Sequence, residues 1–98
     1  MIDKIISKYS IYIMDRTERI KLIIEAIKTE GESLRVLGVN VIDIDMNENS
    51  KFSDASFLDS MNIVELQMIL SDMFGDAAKE KVPMLDMTIG EYADMIES

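Results

Sequence analysis

Cysteine, histidine and tryptophan are missing from this chain, and proline occurs once. Without cysteine there is no disulfide, no thiolate metal site and no thiol nucleophile. Without histidine the commonest general base and the commonest transition-metal ligand are gone. Carboxylates, lysines, tyrosines and hydroxyls remain, and no carboxylate pair stands beside a glycine-rich phosphate cradle. The residues therefore point away from an enzyme. No apolar run approaches the ~20 residues that span a bilayer, so no membrane insertion is expected. The opening MIDKIISKYSIYIMD carries charge at residues 3, 4 and 8. It lacks the uncharged stretch and small-residue cleavage site of a signal peptide, so the expected location is the cytoplasm.

Basic residues are scarce as well. Ten Lys and Arg face nineteen Asp and Glu, a net charge of −9. Such a chain repels nucleic acid and anionic membrane surfaces, and it suits partners with basic patches. Residues 1–48 hold seven basic and nine acidic side chains, net −2; residues 49–98 hold three and ten, net −7. A charge-selected partner is expected on the second half. Ninety-eight residues, 48% of them hydrophobic, allow one domain with one core, expected to be a monomer.

Apolar spacing divides the chain into helices. Ile2, Ile5, Ile6, Tyr9 and Ile13 recur at three and four, which makes residues 1–14 a helical N-terminal extension. Asp15 as N-cap with Glu18 three residues on opens the first main helix, Asp15–Glu30. Its inner face is Ile20, Ile23, Ile24 and Ile27, and Gly31 is the expected stop. Leu34, Val36, Leu37 and Val39 follow without clean periodicity, as a helical turn or an apolar loop on the core. Residues 40–58 form a long loop rich in Asp, Asn and Ser, with Val41, Ile42, Ile44 and Phe52 as candidate anchors. Loops this long in small domains are usually functional or anchored.

Asp59 is a natural N-cap for the next helix, with Leu58 and Ile63 as a hydrophobic staple. That helix runs to Phe74 and stops at Gly75. Ile63, Leu66, Leu70, Met73 and Phe74 make one apolar stripe; Met61, Val64 and Met68 make a second. A surface helix needs only one. The second is either buried on another side or an exposed strip for partners, a use that suits adaptable methionine. Pro83 breaks any long helix across 76–87. Thr88 with Glu91 forms a capping box, Met87 with Tyr92 a staple, and Ile89, Tyr92, Ala93 and Ile96 an inner face. The expected fold class is all-α: a small bundle of three to four helices with a long loop between the first and second main helices.

Two strings invite chemistry. Asp43, Asp45 and Asn47 match the first three ligand positions of an EF-hand loop. The match then fails, since Glu48 stands where glycine is needed and Asp54 where a bidentate glutamate is usual. No metal site is assigned there. Ser60, by contrast, stands exposed at a helix start, where free N–H groups and the positive dipole end favour a phosphate ester. Asp59 beside it can cap the helix or hold a cation during phosphate transfer. Taken alone, an Asp-Ser pair before a helix is far better explained by plain capping.

The surrounding residues decide between these. The run Asp59-Ser60-Met61 followed by Val64-Glu65-Leu66 resembles the acyl carrier protein family, the phosphopantetheine-attachment domains, whose signature is D-S-[LM] then V-E-L. TIGEYADMI at 88–96 is similar to the family's closing T-V-G-[DE] helix. The run from Phe57 to Met61 looks more like discrete D-alanyl and amino-acid carriers than like the fatty-acid form. The resemblance covers residues 15–98, the carrier domain, in the order helix, long loop, D-S-M helix, short segment, T-x-G helix. It departs where the usual Ile-Pro is replaced by Ala78-Lys79, with Pro83 displaced.

The resemblance implies that a phosphopantetheinyl transferase attaches 4'-phosphopantetheine from coenzyme A to Ser60. The arm's thiol would carry an acyl or aminoacyl group as a thioester, loaded by a ligase or synthase with a basic docking patch. Asp59, Met61, Val64, Glu65, Met68 and Asp72 would form the recognition face. The chain itself would catalyse nothing. The alternative is an unmodified acidic helical interaction module.

Overall fold

The computed structural model describes residues 14–42 and 44–97. The extension expected over residues 1–14 lies outside the described residues except for Met14. The described chain is an all-α bundle of four helices: α1 (Arg16–Val36), α2 (Ile63–Phe74), the single-turn α3 (Asp76–Lys79) and α4 (Ile89–Glu97). A 3-10 turn, Phe52–Asp54, sits in the loop between α1 and α2.

Asp15 caps α1 as its sequence signals, its carboxylate accepting from the Glu18 N–H at 2.8 Å. Gly31, the expected stop, does not end α1, which continues to Val36. Gly31 is buried inside the helix and gives room to its neighbours. A Cβ there would lie 3.1 Å from the Phe57 ring and 3.3 Å from Val41. The stop is Gly38, at φ 92°. The Val39 N–H reaches the Leu34 carbonyl and the Gly38 N–H reaches that of Arg35, each at 3.0 Å. This is a Schellman closure, whose left-handed residue is inexpensive only for glycine. Leu34 is half-buried, but Val36, Leu37 and Val39 are exposed and do not pack on the core.

Of the four candidate loop anchors, Phe52 is wholly buried, Val41 is half-buried, and Ile42 and Ile44 are exposed. Phe52 meets Tyr92 edge to face, with ring centroids 5.7 Å apart, an arrangement that adds to simple area burial. The backbone fastens the same stretch. Phe52 and Ser53 donate to the carbonyls of Met87 and Leu85, while Ile89 and Gly90 donate to those of Ser50 and Glu48. Glycine suits that crossing, because a Cβ at Gly90 would sit 3.0 Å from the Glu48 backbone oxygen as well as 2.7 Å from the movable Arg16 guanidinium. Arg16 in turn pairs with Asp94 at 2.8 Å and Glu48 at 3.1 Å, joining α1, the loop and α4.

The T-x-x-E box opens α4 as expected. The Thr88 N–H donates to Glu91 at 2.8 Å and the Glu91 N–H donates to the Thr88 hydroxyl at 3.0 Å. Ile89, Tyr92, Ala93 and Ile96 face the core with Ile23, Ala26, Ile27, Leu66 and Leu70. The buried Tyr92 hydroxyl donates to the Lys81 carbonyl at 2.6 Å, and burial pushes its pKa up. Across 76–87 the chain forms only the single turn α3, and Pro83 is buried. Gln67 on α2 holds that turn by donating to the carbonyls of Ala78 and Lys79.

Candidate functional site

Ser60 lies in a hydrogen-bonded turn, residues 60–62, that feeds into α2. The Ile63 N–H bonds the Asp59 carbonyl at 3.0 Å, but α2 begins at Ile63 with Asn62 in the N-cap position, so Asp59, the expected N-cap, instead closes the turn ahead of the helix. Its Oδ1 accepts from the N–H groups of Met61 at 2.8 Å and Asn62 at 2.9 Å. The Asn62 side chain returns the favour, accepting from the Asp59 N–H at 2.6 Å and donating to the Phe57 carbonyl. This reciprocal pair does for the helix start what a capping box does. The Asn62 and Met61 donors hold the Asp59 carboxyl below its ordinary range. Two of the N–H groups expected to be free beside Ser60 are therefore occupied. The Ser60 side chain is exposed and makes no hydrogen bond among the described residues.

Behind this turn, Leu58 and Ile63 are buried in one cluster, as the staple requires. Ile63, Leu66, Leu70 and Phe74 face the core, with Met73 partly buried, and Gly75 closes α2 at φ 65°. The second stripe is in water: Met61, Val64 and Met68 are 81%, 54% and 61% exposed. Glu65 and Asp72 are also exposed on α2, seven residues or about two turns apart. Ser60 and Met61 in the turn, and Val64, Glu65, Met68 and Asp72 on α2, are thus all exposed along one stretch of chain.

Sequence reasoning missed Glu30. It lies on α1 and is only 3% exposed, with Oε2 unpartnered. Burial, then a hydrogen bond to Glu65, then the charge of Glu65 push its pKa up to about 7. Glu30 stands three residues after Ile27 and seven after Ile23, so heptad spacing alone marks the position as inward-facing. Glu65, chosen from sequence as a rim charge, is thereby also tied to the bundle interior.

Among the described residues, no three acidic side chains converge to hold a metal ion. Asp43 lies outside those residues. Asn47 is engaged in a turn, its side chain accepting from Asn49 and its N–H donating to Ser50. No described helix is long and apolar enough to cross a membrane. Comparison with protein-family models, with curated proteins and with solved structures finds no match to this chain.

Proposed function

We propose that this chain is an acyl carrier protein, holding an acyl or aminoacyl group as a thioester on 4'-phosphopantetheine at Ser60. The observation that carries the reading is an exposed serine in the turn that leads into a helix whose outer stripe is apolar and in water. A surface helix has no folding reason to expose Met61, Val64 and Met68 together, and a partner that must approach Ser60 does supply a reason. The D-S-M…V-E-L run and the T-x-G helix add the family resemblance.

Attachment joins the Ser60 oxygen to the phosphorus that bears pantetheine and breaks the pyrophosphate bond of coenzyme A. The adenosine bisphosphate leaves, and the serine proton passes to a base on the transferase. The arm then supplies the thiol this chain lacks. Asp59 sets the turn that presents Ser60. Glu65 and Asp72 offer negative charge to the basic surfaces of transferase and loading enzyme, speeding encounter more than tightening the complex.

The test is intact mass after incubation with coenzyme A and a broad-specificity phosphopantetheinyl transferase. One arm should be added, and none to Ser60→Ala. Modification mapped to Ser56 would overturn the site. No modification by any transferase tried would favour the unmodified interaction module, which uses the same exposed strip without the arm.

A further inference from the structure

Among the described residues the bundle buries two charged side chains, Arg19 and Glu30. Arg19 spends its guanidinium on the carbonyls of Ala93 and Met14. Glu30 meets Glu65 and leaves its Oε2 without a partner. A buried acceptor with no donor costs the fold free energy, and an apolar residue of similar size would avoid that cost. Folding alone therefore does not explain a glutamate here. The place of Glu65 supplies another reason. Glu65 is exposed, follows Val64 directly and stands three residues before Met68, on the same face of α2. The carboxylate that touches buried Glu30 thus belongs to the exposed strip itself.

Among the described residues no basic group neutralises this pair. On α1 the flanking turns bring Ala26, Ile27, Ser33 and Leu34 beside Glu30. On α2 Glu65 is the charge that acts on it, and Asp72 lies two turns further along. On α4 Glu91 is engaged with Thr88 and Asp94 with Arg16. Arg16 opens α1, 14 residues or roughly 21 Å from Glu30. On the loop side Glu32 pairs with Arg35, while Lys28 and Asp45 line a cavity beside Phe57. Two carboxylates in contact resist ionising together. Burial first, then Glu65, push the Glu30 pKa up to about 7. Below that pH the pair carries one negative charge, and above it two.

We infer that Glu30 and Glu65 act together as a proton-holding anchor for one Lys or Arg of the docking partner, which seats on Glu65 and displaces the proton the pair shares. This rests on the carrier reading above. The carboxyl O–H bond breaks, the proton passes to water, and the partner's cation supplies the positive charge in its place. The consequence has one sign. The free pair holds more protons than the docked pair, so docking tightens as pH rises. A cation one side chain away from Glu30, at the effective dielectric of a protein surface, lowers the pair's proton affinity about tenfold. Docking is then about fivefold tighter at pH 8 than at pH 6.

The experiment titrates the full chain into a broad-specificity phosphopantetheinyl transferase, without coenzyme A, in a calorimeter. Two buffers of different ionisation enthalpy at about pH 7 give the protons released per complex. Wild type should release about 0.4 proton more than Glu30→Gln, and the ratio of their affinities should grow about fivefold from pH 6 to pH 8. The transferase's own titrations are common to both chains and cancel. Any loss of wild-type stability at the higher pH acts in the opposite direction and cannot imitate the result. Asp72→Asn should weaken docking at both pH values and leave the proton release as it was. Equal release from wild type and Glu30→Gln, or an affinity ratio that ignores pH, overturns the anchor and leaves the carrier standing. Loss of the release in Asp72→Asn as well assigns it to overall charge and also overturns the anchor. A transferase that neither docks nor loads Ser60 when coenzyme A is added overturns the carrier reading, and this inference with it.

Discussion

Replacing Glu30 by glutamine should stabilise the protein at mildly alkaline pH and flatten its response to pH. Glu30 is buried beside Glu65 with one carboxylate oxygen unpartnered, so the folded state favours its protonated form. In the unfolded chain it loses its proton near 4.5, and in the folded chain near 7. Below both values the group is neutral in both states and imposes no penalty. Between them the folded state binds more protons, so stability falls as pH rises, and above 7 the penalty is complete. At about 1.4 kcal/mol per pH unit the ceiling is roughly 3 kcal/mol. Glu65 is at the surface, where water screens the pair, so about 1–2 kcal/mol is expected.

Urea unfolding followed by circular dichroism, at about pH 5 and about pH 8, reads this directly. Glu30→Gln should exceed wild type by about 1–2 kcal/mol at the higher pH, or roughly 4–8 °C in Tm per kcal/mol. The gap should close at the lower pH. Other carboxylates also weaken an acidic protein as pH rises, but they are common to both chains and cancel in the difference. Glu65→Gln should act in the same direction and less, because burial is the larger cause. A difference between wild type and Glu30→Gln that does not change with pH would refute the reasoning.

Thr88→Ala removes the acceptor of the Glu91 N–H and should cost about 1 kcal/mol in urea unfolding; a change below a few tenths would show that the box is not holding α4. Asp72→Lys should slow Ser60 loading and reduce its salt dependence without touching the Glu30 pair, whereas Glu65→Lys should do the same and also raise stability at neutral pH. An Asp72→Lys chain whose loading kept the wild-type salt slope would remove Asp72 from the recognition face. Salt should raise Tm, since residues 49–98 hold ten acids against three bases and screening relieves their repulsion; a thermal scan showing no rise would mean that this repulsion is already relieved locally.

Local signals were legible wherever one residue satisfies one backbone group. Asp15, Thr88 with Glu91 and Gly75 mark helix ends that the structure has, while Asp59 closes the turn at 60–62 and α2 itself starts three residues later than expected, after Asn62. Each acts within three or four residues of its own position. The two apolar stripes of α2 were equally legible as stripes. Which of them is buried was not, because spacing records a face and not what lies against it.

Gly31 and Gly38 illustrate the boundary. Both precede or follow an apolar helix, and by composition either can end it. Gly31 is retained inside α1 because Phe57 and Val41, remote in sequence, close on that point. With Gly31 committed to packing, the left-handed turn falls to Gly38. Glu30 belongs to the same class, since a glutamate on a helix reads as a solvated face until α2 is laid over it. The amino-acid sequence by itself determined the all-α class, the caps at Asp15 and Thr88, the long loop and an exposed serine just ahead of α2, because these follow from short-range hydrogen bonding and periodicity. Only the tertiary structure decided that Met61, Val64 and Met68 stay in water, that Glu30 meets Glu65, and that a cavity opens beside Phe57, because each depends on which surfaces from distant parts of the chain exclude water from one another.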